Sequence, residues 1–228
     1  LILNILFNLK TKIILRISGL PQMNFLRKIL WKIAINKIYL ITCPTNETKN
    51  DLTKLNICKN EKIVVLNDPV LNIKKINLEK NQKNFDEKFK DYFLSIGRFT
   101  RQKNFLFLVE VFSEYIKNKS EAKLIIIGEG EEKNKVMKYI SENNLSTNIK
   151  LYDYKENIFP YLKKAKCFLL SSLWEDPGFV LVESAYCNIS IISSDCKNGP
   201  TEILSNGDGG FLYKTNSKTD FLEKIINF

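Results

Sequence analysis

The fold is decided by the stretch CFLLSSLWEDPGFVLVE, residues 167–183. Four apolar residues followed by two serines predict a short buried strand that ends at a polar loop. Glu175 lies in that loop, and beyond Pro177 and Gly178 an apolar run carries Glu183 into a predicted helix. Because proline favours the first helical turn and the loop before it, we expect Glu175 on the loop and Glu183 on the helix.

The two glutamates mark a candidate ligand site. Ligands of open α/β sheets bind outside the carboxyl ends of the strands, which is where both glutamates are expected. On one continuous helix, eight positions would place the side chains about 80° apart. With Glu175 on the loop and Glu183 on the helix, the two carboxylates can instead approach one ligand from two directions. Carboxylates placed in this way can accept hydrogen bonds from the paired hydroxyls of a polyol.

The second part of the chain alternates short apolar runs with helical patterns, as repeated βα units do. The predicted strands are 92–96, 123–127, 148–152, 167–170, 190–192 and 210–213. The predicted helices are 104–117, 131–143, 158–164, 179–187, 200–204 and a last one, 218–227, for which no clear cap is visible. This alternation predicts a parallel sheet covered by helices on both faces.

Residues 1–70 show a shorter version of the same pattern. The predicted strands are 12–17, 38–42 and 62–66, and the predicted helices are 24–36 and 45–55. We therefore predict an α/β protein with two Rossmann-like, doubly wound domains. Residues 1–70 would end an incomplete first domain, 71–90 form a polar linker, and 91–228 form a second domain that lacks its last helices. The chain begins with Leu1 rather than methionine, so we expect a fragment.

Charge is distributed unevenly. The net charge is +10, and residues 1–90 contain 17 Lys/Arg and 7 Asp/Glu, whereas residues 91–228 contain 18 of each. A basic first part fits a nucleic acid, an anionic membrane surface or an acidic acceptor. It also fits the Lys-, Asn- and Ile-rich composition that an AT-rich genome produces.

Cysteine and histidine usage argues against several kinds of site. The five cysteines form no C-x-x-C pair, and histidine is absent. A disulfide framework or a zinc site is therefore not expected, and a reducing, cytoplasmic compartment is. The cysteines are Cys43, Cys58, Cys167, Cys187 and Cys196.

Three further loops follow predicted strands. Gly97, Arg98 and Lys103 lie before a helix. This arrangement suits a diphosphate, although such a motif by itself is more often a solvated basic turn. Gly128 begins a G-x-G that lacks the third glycine of the dinucleotide fingerprint, so it predicts at least a tight turn. Asn198 and Gly199 precede a proline at a helix start, which suits an anionic or sugar ligand or ordinary helix initiation. Because all three loops are expected at the same sheet edge as Glu175, together they outline one cleft.

The order of these motifs, G-R-x4-K, G-x-G, S-x2-E-x7-E and N-G-P-x-E, resembles the retaining GT-B glycosyltransferases of family 4. The resemblance covers residues 91–215 well and 12–70 more loosely. It implies a metal- and cofactor-independent transfer from a nucleotide-diphosphate sugar, with UDP favoured, to a glycan or lipid-linked acceptor, and it implies no nucleic-acid partner. The enzyme would be cytoplasmic, with its basic first part on the inner membrane face.

The resemblance also implies roles for individual residues. Arg98 and Lys103 would bind the diphosphate, Glu175 the donor sugar and Glu183 the ribose, with main-chain amides of residues 178–180 assisting. The catalytic residues would be Glu175, Arg98 and Lys103, with no metal ligand. The donor-binding residues would be Gly97, Arg98, Lys103, Gly128, Glu175, Gly178, Phe179, Val180, Glu183, Asn198 and Gly199. Whether Arg16 belongs to the site stays open.

Three departures from the family pattern bear on these expectations. Where many members have E-G-F-G, this chain has Glu175-Asp176-Pro177-Gly178-Phe179, and Asn104 replaces a common glycine. The front of the first domain is expected to be missing, which would leave the fragment inactive. Two other functions fit the motifs less fully: a nucleotide-sugar epimerase of the same architecture and a non-catalytic basic binding module. A transferase requires Arg98 and Glu183 on one cleft wall.

Overall fold

The computed structural model describes residues 11–19, 24–56, 59–79 and 91–228. The chain divides into two compact units, Leu1–Pro69 (unit 1) and Val70–Phe228 (unit 2). The predictions that concern the start of the chain, Cys58 and the second half of the 71–90 linker lie outside the described residues.

Unit 1 contains a parallel three-stranded sheet in the order β1-β2-β3. Its elements are β1 (Ile14–Arg16), α1 (Phe25–Ile35), β2 (Leu40–Cys43), α2 (Asn46–Lys54), a 3-10 turn (Asn60–Lys62) and β3 (Ile63–Val65). Asn24 and Thr45 cap the two helices, each accepting a backbone N–H three residues on, at 2.8 and 3.1 Å. The elements match the predicted ones to within two residues at each end.

Arg16 has a structural role at the end of β1. Its guanidinium donates to the carbonyl of Leu66 at 2.6 Å and to the carboxylate of Asp68 at 2.5 Å. Both partners belong to the chain segment after β3. Arg16 therefore ties two neighbouring segments of unit 1, as a strand-end arginine does.

Unit 2 contains a six-stranded sheet in which every pairing is parallel, in the order β6-β5-β4-β7-β8-β9. Its strands are β4 (Tyr92–Ile96), β5 (Lys123–Ile127), β6 (Ile149–Tyr152), β7 (Cys167–Leu170), β8 (Ser190–Ser194) and β9 (Phe211–Tyr213). Its helices are α3 (Ile73–Glu79), α4 (Phe105–Asn118), α5 (Lys133–Glu142), α6 (Phe159–Lys164), α7 (Phe179–Tyr186), α8 (Pro200–Ile203) and α9 (Lys218–Asn227), with a 3-10 turn at Ser205–Gly207.

Helices cover both faces of this sheet, as predicted. Phe93 and Leu94 are neighbours in β4, and their side chains pack into different apolar clusters because successive strand residues point to opposite faces. The cluster around Phe93 includes residues of α4, α5 and α9, and the cluster around Leu94 includes residues of α3, α6 and α7. The sheet is thus the middle of three layers.

Two local predictions need revision. Helix α9 does have a cap, because the Ser217 hydroxyl accepts the backbone N–H of Asp220 at 3.4 Å. The first part of the predicted linker is helical: α3 belongs to unit 2, and its Ile76 is buried with only 3% of its surface exposed. Polar residues dominate this segment, so the single buried isoleucine that fixes the helix was a weak signal.

In sheets of this kind ligands bind where the strand order reverses, which here is between β4 and β7. From β4 the chain first builds the sheet outward through β5 and β6, and then returns to add β7, β8 and β9 on the other side. At this reversal the loops after the two central strands diverge to opposite faces and leave a crevice at the carboxyl edge.

Candidate functional site

The loops that follow β4 and β7 are bonded directly to each other. The Ser171 hydroxyl donates to the carbonyl of Lys103 at 2.8 Å, and the backbone N–H of Leu173 donates to the carbonyl of Gln102 at 2.8 Å. The Gln102 amide donates to the Trp174 carbonyl at 2.9 Å. These three bonds fix the position of one loop relative to the other.

An ion pair between Lys103 and Glu175 lies at the centre of this junction. The ammonium nitrogen Nζ is 2.6 Å from Oε1, and the side chains are 14% and 3% exposed. The Ser172 hydroxyl donates to the same carboxylate oxygen. A buried charge is costly unless it is paired and hydrogen-bonded, so these partners allow Glu175 to be ionised inside the protein.

Serine hydroxyls extend this anchoring into the sheet. Ser194, at the end of β8, donates to the carbonyl of Ser172 at 2.7 Å, and Ser95 in β4 donates to the carbonyl of Leu169 in β7 at 2.7 Å. All three serines are buried. The position of Glu175 is therefore set by the ends of two strands as well as by its own loop.

Two adjoining cavities open at this edge of unit 2. The first, which we call the Glu175 cavity, has a volume of about 350 Å³. The second, the Tyr154 cavity, has a volume of about 690 Å³ and lies between the loops after β4, β5 and β6. Arg98 and Glu183 line both, so they lie on one continuous wall.

Most of the predicted site residues line these cavities. Eight of them line the Glu175 cavity: Gly97, Arg98, Lys103, Glu175, Gly178, Phe179, Val180 and Glu183. Gly128 lines the Tyr154 cavity, whereas Asn198 and Gly199 line neither. The structure places Glu175 on the loop and Glu183 in α7.

Gly128 and Gly199 are required by close backbone contacts. Gly128 has φ +153°, and a Cβ atom there would lie 1.8 Å from the carbonyl oxygen of Gly97. Gly199 has φ +142°, and a Cβ would lie 1.8 Å from the carbonyl oxygen of Pro177. Any side chain at either position would push apart loops that form the site.

Asn104 shows why a polar residue can replace glycine at the start of α4. It adopts the left-handed conformation, with φ 54° and ψ 40°. Asparagine enters this region more readily than other residues with a side chain. The replacement therefore leaves the loop from Gly97 to Lys103 with the backbone path that a glycine would allow.

Glu183 and Asp176 have altered acidities. Burial raises the pKa of Glu183, because the charged form loses hydration. The pKa of Asp176 is also raised, mainly by partial burial and then by the Glu175 charge, and a hydrogen bond from Asn198 opposes the rise. Asn198, which lines neither cavity, thus contacts the site through Asp176.

Arg98 supplies positive charge that the protein itself leaves uncompensated. Lys103 is engaged by Glu175, whereas no ion pair within the described ranges involves Arg98, which is exposed. An anionic ligand in either cavity would meet this guanidinium, which can donate two parallel hydrogen bonds to a phosphate.

Sequence reasoning missed the part of the site that follows β6. Tyr154, Lys155 and Glu156 line the Tyr154 cavity, and Asp176 lines the Glu175 cavity. The loop after β6 has no glycine or distinctive spacing, and only its place after a strand adjacent to β5 could have drawn attention to it.

In the part of the chain that the structure describes, no group of three or more His, Cys, Asp or Glu side chains could hold a metal ion. Nor is any helix of that part long and apolar enough to cross a membrane.

A family model described as "Glycosyl transferases group 1" matches residues 75–228. The chain belongs to this glycosyltransferase family. The whole match lies in unit 2, so both cavities lie in the matched region. The predicted α/β fold of the GT-B type is thereby confirmed, with its parallel Rossmann-like sheets.

Curated relatives of this group 1 glycosyltransferase come from several microorganisms. An uncharacterized glycosyltransferase of Methanocaldococcus jannaschii is 43% identical over 129 residues, which are 56% of this chain and 31% of the relative. A Campylobacter jejuni N-acetylgalactosamine-N,N'-diacetylbacillosaminyl-diphospho-undecaprenol 4-alpha-N-acetylgalactosaminyltransferase is 30% identical over 61% of this chain and 38% of its own length. The chain therefore spans about a third of the length of these relatives.

Solved structures share the fold. A glycosyltransferase from Rickettsia africae has a TM-score of 0.79 at 18% identity, covering 97% of this chain and 61% of its own. TarM from S. aureus, in a complex with UDP, fondaparinux and alpha-GlcNAc-glycerol, has a TM-score of 0.75 at 22% identity, covering 97% of this chain and 45% of its own.

Proposed function

We propose that this chain is part of a retaining, metal-independent family 4 glycosyltransferase that moves a sugar from a UDP-sugar to a glycan or lipid-linked acceptor. Unit 2 would bind the donor, and unit 1 would belong to an acceptor-side domain. The observation that carries the proposal is the convergence of Arg98, Lys103, Glu175 and Glu183 on the Glu175 cavity.

The charges of the cavity suit a nucleotide-diphosphate sugar. Arg98 and Lys103 would bind the diphosphate, and Lys103 can do so without leaving Glu175 because an ammonium has three donors. Glu175 would accept hydroxyls of the sugar, and Glu183 those of the ribose. The first amides of α7, which begins at Phe179, would add donors and the positive end of a helix.

Transfer would proceed on one face of the sugar. The bond between the anomeric carbon and the phosphate oxygen breaks as the bond to the acceptor oxygen forms on the same side. A donor phosphate oxygen takes the acceptor's proton, so the configuration is retained and no histidine is needed. Arg98 and Lys103 would neutralise the charge that develops on the leaving diphosphate, which is the role a metal ion has in other transferases.

The Tyr154 cavity is proposed to hold the nucleoside. It adjoins the diphosphate-binding residues Gly97 and Arg98, it contains Glu183 for the ribose, and its volume of about 690 Å³ is ample for a base. Uridine is preferred in the proposal because TarM binds UDP in its structure, as does Anabaena HepE, which has a TM-score of 0.75.

The acceptor side is proposed to work at the cytoplasmic face of a membrane. Helix α1 exposes the large apolar side chains of Phe25, Leu26, Ile29, Leu30 and Ile33. Its Arg27, Lys28 and Lys32 are exposed as well. Such a helix can insert its apolar face while its cations meet anionic head groups. The Campylobacter relative's name includes diphospho-undecaprenol, a lipid carrier, which supports a lipid-linked acceptor here.

A transferase fits better than the two alternatives. A non-catalytic basic module would need the positive surface but not the carboxylates that share a wall with Arg98. The two relatives described above are named as a glycosyltransferase and an N-acetylgalactosaminyltransferase, which favours transfer over epimerisation.

The test is calorimetric titration of the chain with UDP and with GDP. We expect saturable binding of UDP, weakened at least about tenfold by Glu183→Ala and by Lys103→Ala, since each removes a charged hydrogen bond worth about 1.5–3 kcal/mol. Lys138→Ala, on the exposed face of α5, is the control and should bind as the wild type does. A folded wild-type chain that binds neither nucleotide would contradict the proposal.

A further inference from the structure

Asp176 adds a carboxylate to the Glu175 cavity at the position where many family members have glycine. Asp176 is a surface residue that is partly shielded from solvent, and it lines the cavity beside Glu175. No Lys or Arg of the described ranges lies within ion-pair distance of it, whereas Glu175 is paired with Lys103 at 2.6 Å. Asp176 therefore adds negative charge to the lining of the cavity, which the charge of Lys103 only partly offsets.

Asp176 is also held in place. It directly follows Glu175, whose backbone N–H donates to the carbonyl of Lys197 at 2.9 Å, and precedes the buried Pro177. The side chain of Asn198, only 7% exposed, donates a hydrogen bond to the Asp176 carboxylate. A carboxylate fixed on both its backbone and its side chain can discriminate between ligands because it cannot easily turn away.

We propose that Asp176 is a specificity-determining residue that selects donors with an uncharged sugar and rejects donors whose sugar carries a carboxylate, such as a uronic acid. The inference rests on the proposed function. A hydroxyl of a neutral hexose can donate to Asp176, whereas a uronate would bring a like charge next to both Asp176 and Glu175. Specificity commonly depends on such a repulsive element against the wrong ligand.

The local acidities agree with this electrostatic picture. Asp176 and Glu175 already disfavour each other's charge, since the Glu175 carboxylate contributes to the raised pKa of Asp176. The carboxylate of a uronate donor would be a third negative charge in the same cavity and would increase the repulsion between the two that are already there. Arg98 would not relieve it, because it is committed to the diphosphate in the donor complex.

The experiment compares two donors that share a nucleotide. After titration with UDP and GDP identifies the base, the chain is titrated with the hexose and the hexuronic acid conjugates of that nucleotide: UDP-glucose and UDP-glucuronic acid, or GDP-mannose and GDP-mannuronic acid. We expect the wild type to bind the hexose donor at least tenfold more tightly. Asp176→Asn and Asp176→Gly should each reduce this preference at least threefold, mainly by improving uronate binding.

The control is Asp208→Asn, which removes one exposed negative charge ahead of β9, at the opposite edge of the sheet. It should leave the preference unchanged. The inference is overturned if the wild type binds both donors equally, or if neither Asp176 variant alters the ratio while still binding the free nucleotide. A wild type that binds no nucleotide overturns the proposed function itself, which is a distinct result.

Discussion

The ammonium of Lys103 lies 2.6 Å from the carboxylate of Glu175, although the two residues are 72 positions apart in the chain. One follows β4 and the other follows β7, the two strands between which the sheet reverses its order. The pair thus joins the two loops that form the crevice, and it places one positive and one negative charge at its base.

Replacing Lys103 should destabilise unit 2 as well as weaken binding. Lys103→Met leaves the 3%-exposed Glu175 without its cation, and breaking a buried pair costs about 3–5 kcal/mol. Lys117→Met is the matched control, since its pair with Glu114 is exposed and should contribute less than about 1 kcal/mol. Urea unfolding monitored in both variants measures the difference. Equal losses would show that the Lys103 pair is not effectively buried.

Replacing Glu183 should stabilise the fold while weakening nucleotide binding. Burial raises the pKa of Glu183 in the folded state, so above that pKa the ionised carboxylate lowers the free energy of unfolding. This destabilisation disappears as the pH falls below the ordinary pKa of 4.5. Glu183→Gln should therefore be more stable at pH 7, on the order of 0.5–1 kcal/mol, and no more stable than the wild type near pH 4. Thermal unfolding across this pH range tests it; a constant offset would exclude the ionisation as its cause.

Gly128 should tolerate no side chain. Gly128→Ala would place a Cβ atom 1.8 Å from a backbone oxygen, so a loss of about 3 kcal/mol is expected. Gly207→Ala has a similarly unfavourable φ of +111° but meets no atom within 4 Å, so only about 1 kcal/mol of backbone strain should appear. Chemical denaturation of both variants separates the collision from the strain. Similar losses would mean that the loops relax without cost.

Lys133 is expected to hold the walls of the Tyr154 cavity together. Its ammonium pairs with Asp153 after β6, donates to the Gly128 carbonyl after β5 at 3.3 Å and lies 5.7 Å from the centre of the Phe99 ring after β4. Lys133→Met should weaken nucleotide binding roughly tenfold, which corresponds to about 1.4 kcal/mol of binding free energy. Lys133→Arg keeps a positive charge and should restore part of the affinity. Lys138→Met on the same helix serves as the control. Undiminished affinity in Lys133→Met would contradict this role.

Helix α1 should mediate binding to anionic vesicles. Leu26→Ser combined with Leu30→Ser removes two exposed apolar side chains, each worth about 1.5–3 kcal/mol when fully buried, so co-sedimentation with phosphatidylglycerol vesicles should fall at least tenfold. Leu78→Ser, which alters an exposed leucine of α3, should have no effect. Binding that depends on neither variant would place the membrane contact elsewhere.

Much of unit 2 could be predicted because its strands are short apolar runs between clear breaks. The bounds of β4, β5 and β7 were predicted to the residue. The placement of Glu175 and Glu183 at one cavity could be predicted because their motif has a fixed spacing across a strand end and a helix start.

The rest depends on distant contacts that no local pattern contains. Three features follow from which strands are neighbours: the pairing of Lys103 with Glu175, the contribution of Tyr154 and the place of Asp176 beside the cavity. The role of Ser217 as a cap was missed because the preceding turn, rather than the helical pattern, determines it.

The serine hydrogen bonds that connect β7 and β8 to Glu175 leave two neighbouring site residues with different freedom to change. Glu175 is anchored through Ser172 and Ser194 to the sheet, so its position can change only if the sheet changes. Asp176, one residue further on, accepts a hydrogen bond from the side chain of Asn198. Under the proposed function, substitutions at 176 and 198 would thus change the choice of sugar during evolution, while the residues proposed to bind the diphosphate are inherited unchanged.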